Sequence, residues 1–230
     1  MKDNEFYDIP RFPKQEGIIV FAISMSRIGN AQSAKKCFEY MERFIPKIIF
    51  PVVGLNFIYG DTLYLYSDGK ANQLKNKYQT LVNSHKFEFK NILEKNPKYI
   101  PHSFSFNTWN QTILQSNEFM IFFGELKKIY QKDKILRKLV EEDIKKSNKE
   151  IDDNSVNFIL EEILLFYLIT KGKVRLQNDY IQDKQKWILN CYPGKPLKSE
   201  IYLYQKNFFK LKNPDNVYEN CFYDLEGKKL

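Results

Sequence analysis

Cysteine and histidine are scarce in this 230-residue chain, with three of the first and two of the second. Cys37, Cys191 and Cys221 are odd in number and widely spaced, they form no Cys-x-x-Cys pair, and only His85 and His102 are at hand to assist them. Neither a disulfide framework nor a zinc site is indicated, and the cysteines read as ordinary thiols. No apolar run approaches the roughly 20 residues of a membrane-crossing helix. The longest candidate, Phe158 to Thr170, carries Glu161 and Glu162 in its first turns. The first residues include Asp3 and Glu5 where a secretory leader would be basic and then apolar, so a cytoplasmic address is expected. There is no glycine-rich nucleotide signature, no internal repeat and no low-complexity tract.

What is present suits a globular α/β protein. With 43% hydrophobic residues the chain can bury a full core, and one domain over residues 1–230 is expected because no linker interrupts it. The net charge of +8 points to an anionic partner, although lysine-rich compositions are often basic for no functional reason. The segment from Lys70 to Lys98 concentrates lysines, among them Lys75, Lys77, Lys86 and Lys90, with Phe87, Phe89, Ile92 and Leu93 available to dock a helix on a core. It is the better candidate for phosphate contact. The lysines between Lys127 and Lys149 are mixed with Glu141, Glu142 and Asp143 and read as a solvated helix face.

Hydrophobic patterning alternates strands with helices. Strands are expected over Ile18 to Ser24, Leu55 to Tyr59, Ser103 to Trp109 and Trp187 to Tyr192, the last ended by Pro193-Gly194. Helices are expected over Asn30 to Phe44, Asn72 to Lys95, Asn117 to Lys146 and Val156 to Ile169, with capping residue types at Asp153-Asn154-Ser155. The residues from Phe209 onward are too polar to assign. Such alternation argues for a mostly parallel central sheet covered on both faces.

Polar residues at the ends of apolar segments are where chemistry would sit. Ser24 closes the run Gly17-Ile18-Ile19-Val20-Phe21-Ala22-Ile23, and ligands of open α/β sheets bind beyond the carboxyl ends of strands. Ser24 also reads as a plain turn former or helix cap. Glu161 and Glu162 interrupt a helix that is apolar almost all round, so at least one faces inward, at a cost unless it is paired or given a ligand. Tyr192 closes a strand at a sharp turn, from which its phenol can reach the crevice of Ser24. Glu162 reaching out to solvent and Tyr192 as a core ring are the structural alternatives.

Taken together and in order, three segments resemble the tRNA-dependent cyclodipeptide synthases: Ala22-Ile23-Ser24, Phe158 to Glu162 with its aromatic-to-Glu spacing of four, and Asn190-Cys191-Tyr192-Pro193. Gly60-Asp61-Thr62 and Ser67-Asp68-Gly69, leading into the basic helix, also resemble family segments. Arg27 and Tyr192-Pro193 match the branch marked by Tyr-Pro, whereas the other branch has Asn three residues after the nucleophile and Tyr-His in the third motif. Phe158 stands where most members carry Tyr, which shifts the amine-anchoring task onto Glu162. The spacing from Glu162 to Tyr192 implies a surface insertion around Lys173 to Lys184.

The resemblance implies a monomeric Rossmann-like domain similar to the catalytic domain of tyrosyl- and tryptophanyl-tRNA synthetases, acting without ATP, other cofactor, metal or membrane. Two aminoacyl-tRNAs would react in turn by a ping-pong route, with Ser24 taking the first aminoacyl group and the second aminoacyl-tRNA supplying an amine. A dipeptidyl-enzyme would then close to a diketopiperazine. Glu162 would hold the ammonium and take its proton, and Tyr192 would orient the acyl group and relay a proton. Amides at the start of the helix after Ser24 would stabilise the oxyanion. By position, Val20, Ala22, Ile58, Leu165 and Asn190 would line the first aminoacyl pocket, and Lys75, Lys77, Lys86 and Lys90 would meet tRNA phosphates. The competing readings are a non-catalytic RNA-binding protein of the same fold and a class I aminoacyl-tRNA synthetase relative. The second is suggested by Ser24-Met25-Ser26-Arg27-Ile28-Gly29-Asn30, an echo of those enzymes' signature loop at the wrong end of the chain.

Overall fold

Among the described residues, five strands hydrogen-bond in the order β3-β2-β1-β4-β5, and each neighbouring pair is parallel. They are β1 (Gly17–Ile23), β2 (Val52–Tyr59), β3 (Ser103–Thr108), β4 (Trp187–Tyr192) and β5 (Glu219–Asp224). The structure is a computed structural model and describes residues 17–44, 52–62, 71–97, 103–114, 118–170, 187–208 and 219–225. Helices α1 (Ala34–Phe44) and α2 (Ala71–Glu94) cover one face, and α3 (Phe119–Lys132), α4 (Lys134–Lys146), α5 (Asp153–Thr170) and α6 (Lys198–Gln205) belong to the other. Parallel strands joined by helical crossovers on alternate faces make this the doubly wound, Rossmann-like arrangement, with its switch point beside β1.

The unbroken apolar run of β1 follows from that burial. Alternate residues face opposite ways: Ile19, Phe21 and Ile23 pack under α1 and α2, Ile18 and Val20 under α5. On the α1–α2 face Phe57 stacks on Phe21 and Phe106 with ring centroids 5.3 Å from each, and meets Phe89 edge-on at 4.6 Å. The α5 face is filled chiefly by aliphatic side chains such as Leu126, Val140, Leu160, Leu164 and Leu168.

Several expected boundaries are corrected. Helix α1 starts at Ala34 rather than Asn30, because the Ser33 hydroxyl accepts from the Lys36 amide at 3.4 Å. Residues 25–33 are spent in turns tied by Arg27 N to Ser24 O (3.0 Å) and Gln32 N to Arg27 O (2.9 Å). The single helix expected from Asn117 to Lys146 is two. Asp133 has an extended ψ of 104°, its amide donates back to Ile129 O, and its carboxylate accepts from the amides of Ile135 and Leu136. One residue thus ends α3 and caps α4. Helix α5 begins earlier than Val156 because Asp152 accepts from the Ser155 amide at 2.7 Å. The polar tail from Phe209 includes β5, and α6 was not anticipated. Ser67-Asp68-Gly69, Asn117 and the proposed insertion at 173–184 lie outside the described residues.

Candidate active site

Beyond the carboxyl ends of β1 and β4 lies a cavity of roughly 390 Å³, a size suited to a small ligand. Ser24, the first residue after β1, stands on its wall with Ala22 and Ile58. Cys191 pairs with Phe21, so Tyr192 at the end of β4 falls beside Ala22 and reaches the same space. Helix α5 contributes Phe158, Glu162 and Leu165, whose i, i+4, i+7 spacing puts them on one stripe. Seven of the nine residues expected at the reaction centre and its aminoacyl pocket therefore line one cavity. Val20 and Asn190 have the expected face but the wrong depth. They pair with each other one rung below, buried in the core, and are not among the lining residues.

Ser24 is held from behind. Its amide donates to Gln32 Oε1 at 2.8 Å, while Gln32 Nε2 donates to Ala22 O at 2.6 Å, so one side chain fixes the peptides on either side of Ile23. Gln32 O accepts from His85 Nε2 at 3.0 Å, which forces the proton onto Nε2 and leaves Nδ1 to accept from the Tyr59 hydroxyl at 2.9 Å. Burial lowers His85 to about 4, opposed by the Gln32 hydrogen bond, so the ring is neutral near pH 7. The Ser24 hydroxyl shares a 2.9 Å hydrogen bond with that of Ser26. The expected helix start beside Ser24 is absent from the observed geometry, since α1 begins ten residues later and the Ser24 amide is spent on Gln32.

The adjacent acids of α5 have separate environments. Glu161 is the more buried and accepts from the Trp109 indole Nε1, whose backbone amide donates to Asp61 at 2.9 Å. Burial pushes Glu161 up to about 7 against that indole bond. Glu162 opens on the cavity but lies deep among protein atoms. Burial raises it to about 7, the Asp143 charge adds to the rise, and Lys149 and Arg27 oppose it. A carboxyl poised there is suited to proton exchange near neutral pH.

The rest of the wall comes from residues that the sequence did not single out for chemistry. The Arg27 guanidinium donates to Pro193 O at 2.5 Å and lies over the Tyr192 ring, 5.3 Å from its centroid. The Arg27 and Tyr-Pro features of the sequence are therefore one physical contact. Asp143 of α4 accepts from the amides of Lys198 (3.0 Å) and Ser199 (2.9 Å) and from the Ser199 hydroxyl (2.7 Å), capping α6 from another helix. Glu200 also lines the cavity, and burial followed by the Glu162 and Asp143 charges raises it to about 8 against a bond from the Leu197 backbone. Leu197 is the first flanking residue of α6, so Glu200 has the capping-box position. No local pattern could have found Asp143 or Gln32, whose partners are far away or in a loop.

A second cavity of roughly 410 Å³ lies beyond β2 and β3 on the α2 side. Lys75, Lys86 and Lys90 line it together with Asp61 and Gln111, whereas Lys77 is exposed and not among its lining residues. Lys86 and Lys90 lie over the rings of Tyr59 and Phe106, with nitrogens 5.5 and 5.6 Å from the centroids.

No family model matches the chain, and no curated protein sequence does. Its fold is similar to that of solved cyclodipeptide synthases. One from Fluoribacter dumoffii is 16% identical, with 89% of this chain and 88% of that chain covered and a TM-score of 0.57. One from Staphylococcus haemolyticus is 12% identical, with 92% of each chain covered and a TM-score of 0.56. A third, a Mycobacterium tuberculosis protein whose structure relates cyclodipeptide synthetases to type I tRNA synthetases, is 13% identical, covers 80% of this chain and 76% of that one, and has a TM-score of 0.53. Among the described residues no helix is long and apolar enough to cross a membrane.

Proposed function

We propose that this chain joins two aminoacyl groups, delivered as tRNA esters, into a cyclic dipeptide. One observation carries the reading: Ser24, Phe158, Glu162 and Tyr192, from three segments far apart in sequence, line a single cavity at the switch point of the sheet. A chain that only bound RNA would gain nothing from a buried carboxyl opposite a serine.

In this reading Ser24 Oγ attacks the ester carbonyl of the first aminoacyl-tRNA, the ester C–O bond breaks, and the tRNA oxygen leaves with a proton. The balance of bonds then reverses the expected amine donor. Had the second aminoacyl-tRNA supplied the amine, its attack on the acyl-serine would free Ser24 and leave the dipeptide on tRNA. A dipeptidyl-serine requires the amine of the acyl-serine to attack the second ester. That group arrives as an ammonium; Glu162 takes one proton, the leaving tRNA oxygen takes another, and an amide bond replaces the ester. The new terminal amine then attacks the Ser24 ester carbonyl, closing the ring and restoring the serine hydroxyl. Tyr192, braced by Arg27, orients the acyl group and relays a proton.

The Arg27 contact to Tyr192-Pro193 supports the Tyr-Pro branch. We further propose that the lysines of α2 hold tRNA by its phosphates, with Lys75, Lys86 and Lys90 around the second cavity. The chain acts as a monomeric single domain in the cytoplasm, without ATP or metal. Mass spectrometry of medium from cells overexpressing the chain tests the reading. A cyclic dipeptide mass absent from Ser24→Ala cultures supports it, and identical media from both overturn it.

A further inference from the structure

Lys149 enters the cavity by a local device. Helix α4 ends in a Schellman turn, in which Lys149 N donates to Ile144 O at 3.4 Å, Asn148 N to Lys145 O at 3.0 Å, and Asn148 takes a left-handed φ of 55°. The reversal aims the next side chain back across α5. Lys149 Nζ lies 3.8 Å from the centroid of the Phe158 ring, shielded from solvent, and the residue lines the cavity with Glu162. Phe158 and Glu162 are one helical turn apart, so the ammonium is seated above the stripe where the amine of the acyl-serine must bind.

We propose that Lys149 is a positioning residue of this site: pinned on Phe158, its ammonium keeps Glu162 as a proton-accepting carboxylate and disfavours a second cation beside it, so the bound substrate nitrogen loses a proton and becomes nucleophilic. The inference rests on the reading of Glu162 given above. It accounts for a ring without a hydroxyl at position 158, since the face of Phe158 serves as a seat for a cation. The charges facing Glu162 are mixed: Asp143 from α4 and Glu200 from α6 favour its protonated form, and Lys149 and Arg27 favour its carboxylate. Lys146 and Lys195 also line the cavity. Among the opposing charges Lys149 is the first in effect, consistent with its seat on the neighbouring turn.

The test follows the Glu162 carboxyl directly, by carbon NMR of the free chain labelled at glutamate side-chain carboxyls, with Glu162 assigned as the resonance missing from Glu162→Gln. Its titration midpoint should rise by about one pH unit in Lys149→Met and return in Lys149→Arg. Phe158→Leu, which unpins the ammonium without removing it, should give a smaller rise and serves alone if the Met variant does not fold. In single turnover, the pH at which preformed acyl-serine is half-maximally consumed should shift by the same amount. A midpoint unmoved in both Lys149→Met and Phe158→Leu overturns the proposal, as does a rise that Lys149→Arg fails to reverse. Failure of the wild-type chain to form acyl-serine would sink the functional reading instead, and the titration of the free chain would still decide the role of Lys149.

Discussion

On the face covered by α1 and α2, Phe21, Phe57, Phe89 and Phe106 enclose one polar chain, Tyr59–His85–Gln32, whose ends are fixed and whose imidazole is neutral at pH 7. On the face covered by α3 to α6, Glu161, Glu162 and Glu200 are raised to about 7 or 8 and two of them open on a cavity. Burial on the first face thus holds an imidazole neutral, whereas burial on the second raises carboxyls toward physiological pH. Ser24 stands at the junction, its backbone held by one face and its hydroxyl offered to the other.

The strongest blow to this division is Ser24→Ala. Label from a charged aminoacyl-tRNA should fall to background on that variant, and retention there with loss in Ser26→Ala would move the nucleophile by two residues. Next comes Glu162→Gln, which should still be acylated while cyclic dipeptide formation falls about 10²- to 10⁴-fold. Wild-type turnover in that variant would remove proton transfer from the cavity side. In the wild type, product formation should rise with pH through about 7, as Glu162 loses its proton.

Reversing Lys75, Lys77, Lys86 and Lys90 to Glu should weaken tRNA binding and flatten its log–log salt dependence by roughly 0.7 to 0.9 for each phosphate left without a lysine. Changing the lysines between Lys127 and Lys149 other than Lys149 itself should matter less in the same titration. Gln32→Ala tests the rigid side: freeing the Ser24 and Ala22 peptides should slow acylation about tenfold, the equivalent of one buried hydrogen bond of about 1.4 kcal/mol. Acylation at the wild-type rate would show that the rear brace is dispensable.

The smallest effect is on stability. Carboxyls held above their ordinary range bind protons more tightly in the folded chain than in the unfolded one, so stability should decline as pH rises from about 4.5 through about 7 to 8. Glu162→Gln with Glu200→Gln should flatten that decline by a few degrees in the unfolding midpoint, measured by circular dichroism across pH.

Much of this arrangement was legible in the chain. The strand from Trp187 to Tyr192 ends where Pro193 and Gly194 require it, and the uninterrupted β1 announces burial on two faces. Periodicity gave the face of Val20 and Asn190 correctly but carries no information on depth, so it could not separate them from Ala22 and Tyr192. The spacing from Phe158 puts Glu162 and not Glu161 on the cavity stripe, but only the distant Trp109 shows that Glu161 is sealed by an indole hydrogen bond. Asp133 was hidden because the long amphipathic run outweighs one capping residue, and β5 because Glu-Asn-Cys-Phe-Tyr-Asp places acids at both ends of a strand on the sheet's edge.

The pairing of β1 with β4 has a consequence for how the chain is made. Strands β1 to β3 are adjacent in sequence order and can assemble as soon as they leave the ribosome, but one edge of β1 must wait for Trp187 to Tyr192 before it is closed. Contacts so remote in sequence form slowly, and until they do the most apolar strand of the protein presents open hydrogen-bonding groups to any other nascent chain. The contact that completes the crevice beside Ser24 is thus also the one that ends the period of greatest exposure to aggregation, so a finished cavity and safety from self-association should arrive together late in synthesis.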